Sequence, residues 1–301
     1  MVAAMLLAAC GGGSARPTPP AVTEAPSSSS PGGRLAITKL VVFFVANHSL
    51  DQMRADLPYT FGLAETYGYA THYAALTHPS LPNYLAIAGG DTFDITDDEP
   101  PSVHGLHGPT VFGQALALGR TAKVYAEAMP GNCATDSADR YAVKHNPWPY
   151  FVDERDSCQR YDVPLTDLAG DVDAGTLPHA GMVIPDLCND AHDCDLSVAD
   201  GWLREQLGPV LRGPDWKAGR LMVVVTADED DHSQGNLVLT AVLHPSLQGV
   251  VVDTPLTHYS LTRLYDEVLG APALGADAEA ETGPVWAPPG DARRTPCRRR
   301  R

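Results

Sequence analysis

Residues 35–46 read Leu-Ala-Ile-Thr-Lys-Leu-Val-Val-Phe-Phe-Val-Ala, a nearly continuous apolar run. Such a run is typical of a strand that is buried on both faces of a parallel sheet. A second run, Leu-Met-Val-Val-Val, lies within 220–226. The first run ends in Asn47-His48-Ser49 and the second leads to Asp228-Glu229-Asp230-Asp231. Because functional side chains gather beyond the carboxyl ends of parallel strands, these two polar clusters indicate a site.

The rest of the body alternates between strand and helix patterns. The predicted helices cover 51–69, 80–88, 197–211 and 257–269. The further predicted strands cover 122–125, 179–184, 236–243 and 249–252. This alternation predicts an α/β fold, a three-layer sandwich with a largely parallel central sheet.

The two ends of the chain differ in composition from its body. Residues 1–10 form a short apolar stretch that ends in Leu-Ala-Ala-Cys, similar to a bacterial lipoprotein signal in which Cys10 is lipidated, although the basic segment is missing. The alternative is an unstructured N-terminus that contains a cysteine by chance. The composition of residues 11–34 predicts a disordered Gly/Ser/Pro tether. The composition of residues 280–301 predicts a disordered Pro/Arg-rich tail. A catalytic domain is therefore expected over 35–279, on a chain that is secreted and lipid-anchored at the outer face of the membrane.

The charge of the chain limits its partners. The formal net charge is −16, from 21 basic and 37 acidic residues. Six of the basic residues are Arg within 293–301, so 15 basic and 37 acidic residues, a charge of −22, belong to the rest. A body this acidic repels nucleic acid, so no nucleic-acid partner is expected. A phosphate substrate is also repelled at long range, so its site needs local donors, a metal ion or both.

Four of the six cysteines lie in the expected domain: Cys133, Cys158, Cys188 and Cys194. Disulfides persist in the oxidising compartment that an exported chain meets. Four cysteines allow three pairings. The pairs Cys133–Cys158 and Cys188–Cys194 close the smallest loops and are favoured. A cysteine-based metal site is disfavoured because the sequence has no Cys-x-x-Cys pair.

A candidate nucleophile lies in Thr77-His78-Pro79-Ser80-Leu81-Pro82-Asn83-Tyr84. Pro82 fits the first turn of a helix, where its missing N–H costs nothing, and this places Ser80 at or near the helix N-terminus. Free backbone N–H groups and the positive end of the helix dipole face an incoming anion there. Taken alone, a serine at such a position is more often a helix cap than a nucleophile.

Acidic and histidine side chains near the ends of predicted strands are candidate metal ligands. Asp228 and Glu229 follow a buried strand, and the segment 186–192, Asp-Leu-Cys-Asn-Asp-Ala-His, holds three more. Carboxylates bind hard cations and, together with histidine, bind zinc or manganese. His258 lies at the beginning of the helix predicted over 257–269, where a ligand or phosphate donor is also expected. The alternative is a solvated acidic loop with structural histidines.

Together these segments resemble the bacterial phosphoesterase family, which holds acid phosphatases and non-specific phospholipases C and belongs to the alkaline-phosphatase-like superfamily. The resemblance runs from about Lys39 to Leu274. It is carried by Asn47, His-Pro-Ser-Leu-Pro-Asn-Tyr at 78–84, Lys-His-Asn-Pro at 144–147, the segment 185–193, Asp228-Glu229, and His-Tyr-Ser at 258–260. The resemblance implies an alkaline-phosphatase-like fold.

The resemblance also implies roles for the matching residues. Ser80 is expected to attack phosphorus and form a phosphoserine that water hydrolyses. Asn83 is expected to hold a phosphoryl oxygen, and Lys144 and His145 to neutralise phosphate charge in the transition state. The implied substrate-binding residues are Asn47, His78 and His258. A divalent metal cation is implied, with ligands from Asn47, Ser80, Asp186, Asp190, His192, Asp228 and Glu229.

One departure from the family is Ala46, where a metal-binding Glu is usual. Three outcomes are open: weaker metal binding, a shifted metal preference, or phosphate binding without turnover. Because Ser80 and the acidic pair are present, the leading hypothesis is a monomeric acid-phosphatase-type enzyme that hydrolyses phosphate monoesters, phosphoinositide headgroups among them. The alternatives are a phospholipase C-like phosphodiesterase and a non-catalytic lipoprotein that binds phosphate esters.

Overall fold

The computed structural model of the protein describes residues 37–282. The predicted lipoprotein signal at 1–10 with Cys10, the tether at 11–34 and nearly all of the tail at 280–301 lie outside the described residues.

An eight-stranded sheet forms the centre of the described chain. The strands are β1 (Lys39–Val45), β2 (Gly68–Ala70), β3 (Tyr73–Ala74), β4 (Ala122–Ala126), β5 (Asp162–Pro164), β6 (Ala180–Ile184), β7 (Leu221–Ala227), β8 (Thr240–Leu243), β9 (Val250–Val252) and β10 (Leu256–Thr257). The sheet order is β5-β4-β6-β1-β7-β8-β2-β9, while β10 pairs with β3 separately. Strand β8 runs antiparallel to both of its neighbours, and the other pairs are parallel. The predicted largely parallel sheet is confirmed.

The helices are α1 (Leu50–Asp56), α2 (Pro58–Thr66), α3 (Ser80–Gly89), α4 (Val111–Ala117), α5 (Arg155–Tyr161), α6 (Asp167–Ala174), α7 (Leu196–Val210), α8 (Pro214–Lys217) and α9 (His258–Leu269). Short 3₁₀ turns cover Val143–His145, Trp148–Tyr150, Val152–Glu154 and Gly275–Glu279. The single helix predicted over 51–69 is two, because a residue that precedes proline disfavours helical angles and Pro58 follows Leu57. Within 37–282, no helix has both the length and the apolar character needed to cross a membrane.

Side chains of β1 show that helices cover both faces of the sheet. Phe43 packs on Trp202 of α7, with ring centroids 6.4 Å apart, and Phe44 packs on Tyr84 of α3 at 4.9 Å. Successive side chains of a strand point to opposite faces, so α7 and α3 lie on opposite sides. Helices α3, α4 and α9 contact one another, as do α1, α2 and α7. The predicted three-layer sandwich is confirmed.

Strand β1 fixes where the site forms. It lies between β6 and β7, all seven of its residues are buried, and Val45 is in register with Ala227. Burial of each large apolar side chain stabilises the fold by about 1.5–3 kcal/mol. Because the two strands are parallel and end together, Asn47 and Asp228 leave the sheet side by side.

Two disulfides match the favoured pairing. Cys133 is bonded to Cys158, with Cα atoms 5.4 Å apart, and Cys188 to Cys194, with Cα atoms 4.8 Å apart. The second bond closes a loop that follows β6 and borders the site.

A pair of carboxyl groups holds the C-terminal part of the described chain. Asp266 of α9 and Asp277 of the last 3₁₀ turn are both buried, and Asp266 Oδ2 accepts the N–H of Leu274 at 3.2 Å. Burial, reinforced by the neighbouring Asp277 carboxyl, raises the pKa of Asp266 from 3.8 to about 9. Burial also raises the pKa of Asp277.

We expect the free energy of unfolding to fall as pH rises through this pair. An acid whose pKa is raised on folding stabilises the folded state while it is protonated, and this stabilisation is lost between its unfolded value, about 4, and its folded value. Asp277→Asn places a neutral N–H donor beside Asp266 in place of a carboxyl that raises its pKa. The variant should therefore show a smaller decrease in the free energy of unfolding as pH rises. Urea unfolding at about pH 5 and about pH 9 measures it. Equal falls in the wild type and the variant would contradict this account.

Candidate active site

Ser80 is the first residue of α3, as its sequence context predicts. Pro82 lies in the first turn of the helix, where no intrahelical N–H donor is needed. The Ser80 side chain is buried, and its hydroxyl donates a hydrogen bond of 3.4 Å to Oε1 of Glu229. A hydroxyl therefore lies at the positive end of a ten-residue helix, beside a carboxylate.

Asp228 and Glu229 follow β7 directly. Asp228 Oδ1 accepts the backbone N–H of Asn47 at 3.1 Å and that of Glu229 at 2.9 Å. Asp228 Oδ2 is buried and has no hydrogen-bond partner among the described residues. Burial raises the pKa of Asp228. Burial, and then the charges of Asp228 and Asp98, raise the pKa of Glu229 to about 8. The two carboxylates thus lie where a second negative charge is unfavourable unless a proton or a cation joins them.

Asn83 shapes the approach to the nucleophile. Its Oδ1 accepts the N–H groups of Leu76 and Thr77 at 3.0 and 3.2 Å. Its Nδ2 donates to the carbonyl of Thr77 at 2.8 Å and lies 3.4 Å from Oε2 of Glu229. Asn83 therefore fixes the loop before Ser80 as well as contacting the acidic pair.

His78 contacts the carboxylates of Glu229 and Asp230. Its Nδ1 is 3.1 Å from Oε2 of Glu229, and its Nε2 is 3.2 Å from Oδ1 of Asp230. The ring packs against His232, with centroids 3.8 Å apart. Burial, and then the His232 charge, lower the pKa of His78. An imidazole with a quarter of its side chain exposed thus contacts the carboxylate that accepts the hydrogen bond of the Ser80 hydroxyl.

His145 lies in the buried wall of the site. Its Nδ1 is 3.1 Å from Oδ2 of Asp190, both side chains are 1% exposed, and its ring stacks on Tyr84. Its Nε2 is buried without a hydrogen-bond partner among residues 37–282. The charge of His145 opposes the rise in the pKa of Asp228, because the two groups lie close together. Asp190 therefore orients His145 towards the acidic pair.

Lys144 is held by an aspartate that the sequence reasoning missed. Its Nζ donates to Oδ2 of Asp98 at 3.0 Å and lies 3.4 Å from Nε2 of His192. Asp98 Oδ1 accepts the N–H of Leu81, the residue after the nucleophile, at 2.9 Å. Asp98 belongs to an exposed acidic segment with no helix or strand pattern, so periodicity gave no sign of its position.

Two predicted site residues, Asp186 and His258, make hydrogen-bond contacts within the protein. Asp186 Oδ1 accepts the N–H groups of Cys188 and Asn189 at 3.0 Å each, and its Oδ2 lies 3.4 Å from Nε of Arg140. Asp186 closes the turn after β6 with one oxygen and contacts Arg140 with the other, and its role as a metal ligand stays a prediction.

His258 is the first residue of α9. Its Nε2 lies 2.6 Å from the backbone carbonyl oxygen of Asp228, and its Nδ1 lies 3.0 Å from the hydroxyl of Tyr73. The ring is fully buried, and burial lowers its pKa to about 4. Both ring nitrogens make contacts in the interior, and the role of His258 as a substrate-binding residue stays a prediction. His258 holds the backbone of Asp228.

The remaining predicted ligands lie around the acidic pair. Asn47 contacts Asp228 through its backbone N–H and has a φ of 30°, in the left-handed region that asparagine tolerates. Asp190 Oδ1 accepts the N–H of His192 at 2.8 Å, and His192 in turn reaches Lys144. Asp190 thus contacts His145, and His192 contacts Lys144.

The donor set fits a divalent cation in part. An unpartnered buried carboxylate oxygen, a second carboxylate and a hydroxyl are the oxygen ligands that hard cations take. Ala46 is buried and supplies no ligand. Within 37–282, the one group of three potential ligand atoms within 4.8 Å of each other is Cys133, Cys158 and Asp162, and those cysteines form a disulfide. A cation at the site would depend on Asp228, Glu229 and Ser80.

Residues 44–268 match the family model described as the Phosphoesterase family. The chain belongs to this family. The family assignment confirms the resemblance predicted from the motifs at 78–84 and 185–193.

Known phosphatases are among the relatives of this phosphoesterase. It is 31% identical to a phosphatidylinositol-3-phosphatase of Mycobacterium tuberculosis over 72% of this chain and 71% of the relative. It is 30% identical to a phosphate-repressible acid phosphatase of Penicillium chrysogenum over 68% of this chain, but it spans about half of that relative, 52%. A solved structure from Vibrio parahaemolyticus, of a protein in the alkaline phosphatase superfamily, has a TM-score of 0.54 at 13% identity, with 81% of this chain and 70% of that chain covered. The structural likeness confirms the fold.

Substitution of Asp190 and of Asp186 should separate their roles in the phosphoesterase. Asp190→Asn weakens the contact that orients His145, and the loss of such an orienting carboxylate typically lowers activity about 10- to 100-fold. Asp186→Asn keeps an acceptor for the two N–H groups of its turn and should change kcat less than about threefold. Hydrolysis of an aryl phosphate by the two variants measures both effects. A larger loss in Asp186→Asn than in Asp190→Asn would contradict the placement.

Proposed function

We propose that the chain hydrolyses phosphate monoesters through a phosphoserine formed on Ser80. The observation that carries the proposal is the Ser80 hydroxyl at the N-terminus of α3, 3.4 Å from the Glu229 carboxylate. The relatives named phosphatases support phosphoric ester hydrolysis. We propose Ser80 as the nucleophile, and the roles of its neighbours, from the contacts that their side chains make.

Each proposed step follows from a contact in the site. The Glu229 carboxylate accepts the hydrogen bond of the Ser80 hydroxyl and is placed to take its proton. The Leu81 N–H and Lys144 both contact Asp98, and His145 lies near Asp228; these three groups are proposed to stabilise negative charge on the phosphoryl oxygens. A bound divalent cation would supply Lewis-acid stabilisation of the serine oxygen and the phosphoryl group.

Proton transfer to the leaving group is proposed for His78. Its ring lies between Glu229 and Asp230, at 3.1 and 3.2 Å, and is partly exposed. A side chain in this position can give a proton to the departing ester oxygen and later take one from the water that attacks the phosphoserine.

The substrate class follows from charge and from the relatives. A body with a net charge of −22 outside its C-terminal Arg cluster, from 15 basic and 37 acidic residues, disfavours polyanions and favours small phosphate esters. The relative named for phosphatidylinositol 3-phosphate makes a phosphoinositide headgroup a candidate substrate. The diesterase and the non-catalytic binding protein remain the alternatives, the second because of Ala46.

The proposed location is outside the cytoplasm. Two disulfides in the described chain fit an oxidising compartment. Lipidation at Cys10, which would hold the chain at the membrane surface as a monomer, is proposed from sequence and lies outside the described residues.

Ser80→Ala tests the proposed nucleophile. We expect wild-type protein to hydrolyse an aryl phosphate monoester better than the matching diester between about pH 4 and 9 with added divalent cations, and Ser80→Ala to lose at least about a thousandfold in kcat. Ser197→Ala, an exposed serine in the first turn of α7, is the matched control. Undiminished turnover in Ser80→Ala would refute the nucleophile, a diester preference would favour the phosphodiesterase, and phosphate binding without turnover would favour the binding protein.

Ala46→Glu tests whether the cation site lacks a carboxylate. Ala46 is buried at the end of β1, and its N–H bonds the carbonyl of Asp190 at 2.8 Å. A carboxylate here should raise affinity for a divalent cation about tenfold, since each charged oxygen ligand strengthens binding. Ala46→Gln has nearly the same size without the charge and should raise it less. Calorimetric titration with Mn²⁺ and Zn²⁺ measures the change, and unchanged affinity in Ala46→Glu would contradict the idea.

A further inference from the structure

The segment 91–99, Asp-Thr-Phe-Asp-Ile-Thr-Asp-Asp-Glu, follows the end of α3 and returns to its beginning. Asp98 makes the return contact. Its Oδ1 accepts the Leu81 N–H at 2.9 Å, and its Oδ2 accepts from Lys144 Nζ at 3.0 Å. One carboxylate therefore bridges the helix that begins at Ser80 and the lysine that the family resemblance assigns to phosphate.

These two donors are the kind that bind a phosphoryl group. A main-chain N–H at a helix N-terminus and a lysine ammonium both bind phosphate oxygens. The N–H belongs to the residue directly after Ser80, so a phosphoryl group on the Ser80 oxygen would lie beside it. The charge of Asp98 also helps to raise the pKa of Glu229, because Asp98 lies close to the acidic pair. A dianionic phosphate and this carboxylate would compete for the same donors.

We propose that Asp98 is a specificity-determining residue whose carboxylate takes the place of the phosphoryl group in the free protein. This inference rests on the proposed function at Ser80. When a phosphate monoester binds, its oxygens replace Asp98 at the Leu81 N–H and at Lys144. When inorganic phosphate leaves, Asp98 returns, and the donors are never left without an acceptor.

The surroundings of Asp98 allow this exchange. Its side chain is 27% exposed, and residues 91–100 form neither helix nor strand, so rotation of one side chain towards solvent releases both donors. Lys144 keeps its contact with His192 at 3.4 Å and stays in the site. The consequence is weaker binding of phosphate than the same donors would give without a competing anion.

Asp98→Asn tests the proposal in the full chain. Asparagine keeps the shape and can still accept the Leu81 N–H, but it lacks the negative charge that binds Lys144. We expect the Kd for inorganic phosphate, measured by calorimetry, and the KM for an aryl phosphate to fall about three- to tenfold, with kcat within about threefold of wild type, because a charged competitor is removed. Asp98→Ser, whose hydroxyl oxygen can accept a hydrogen bond but carries no charge, serves if Asp98→Asn does not fold.

Asp94→Asn is the matched control. Asp94 is exposed in the same segment, and its φ of 55° suits asparagine. It loses the same charge outside the site and should leave the Kd for phosphate unchanged. Equal tightening in Asp94→Asn would assign the effect to long-range charge, and a loss of kcat with unchanged or weaker phosphate binding in Asp98→Asn would make Asp98 a positioning residue; both results overturn the proposal. If wild type hydrolyses no ester, the proposed function fails, while the phosphate titration still decides this inference.

Discussion

The carboxylates of Asp228 and Glu229 are adjacent in the chain and buried, so their negative charges repel each other. This repulsion is the constraint on which the rest of the site depends. Burial raises the pKa of both groups, that of Glu229 to about 8. Asp228 is partly compensated by two backbone N–H donors, while its second oxygen lacks a partner among the described residues. The Ser80 hydroxyl donates a hydrogen bond to Glu229. The charges of His145 and Lys144 oppose the rise in the pKa of Asp228 and of Glu229, respectively. A site of this kind favours whatever cation or proton joins it.

The scaffold holds this arrangement through the pairing of β1 with β7. Their parallel register brings Asn47 beside Asp228 at one edge of the sheet. Helix α9 also holds the backbone of Asp228, since Nε2 of His258 lies 2.6 Å from its carbonyl oxygen. The loop closed by Cys188–Cys194 brings Asp190 to His145. The strands β1 and β7 are buried along their whole length, and the polar residues Asn47 and Asp228 follow them in the chain.

The sequence predicted the parts of the molecule whose physics is local or periodic. Strand β7 and the amphipathic helices α7 and α9 lie within one residue of their predicted bounds, and Ser80 begins α3 as the proline spacing requires. Strand β1 begins four residues after the start of its apolar run. The break at Leu57 and the short strands β2 and β3 were missed because two or three residues carry no period. The residue types of Asp186 and His258 suit ligands, but the sequence could not show that Asp186 accepts the N–H of Cys188 or that His258 contacts the carbonyl of Asp228. Asp98 was missed for the opposite reason: its segment resembles a solvated acidic loop until the chain folds it back onto Leu81.

The central claim is that Ser80 carries the phosphoryl group during turnover. The direct measurement is rapid acid quenching of wild-type protein during hydrolysis of an aryl phosphate, followed by mass spectrometry of the peptide that contains residues 78–84. The account predicts a phosphoryl group on Ser80 that appears within the first turnover and disappears when substrate is exhausted. Continued turnover with an unmodified Ser80, or with the phosphoryl group on a histidine instead, would contradict it.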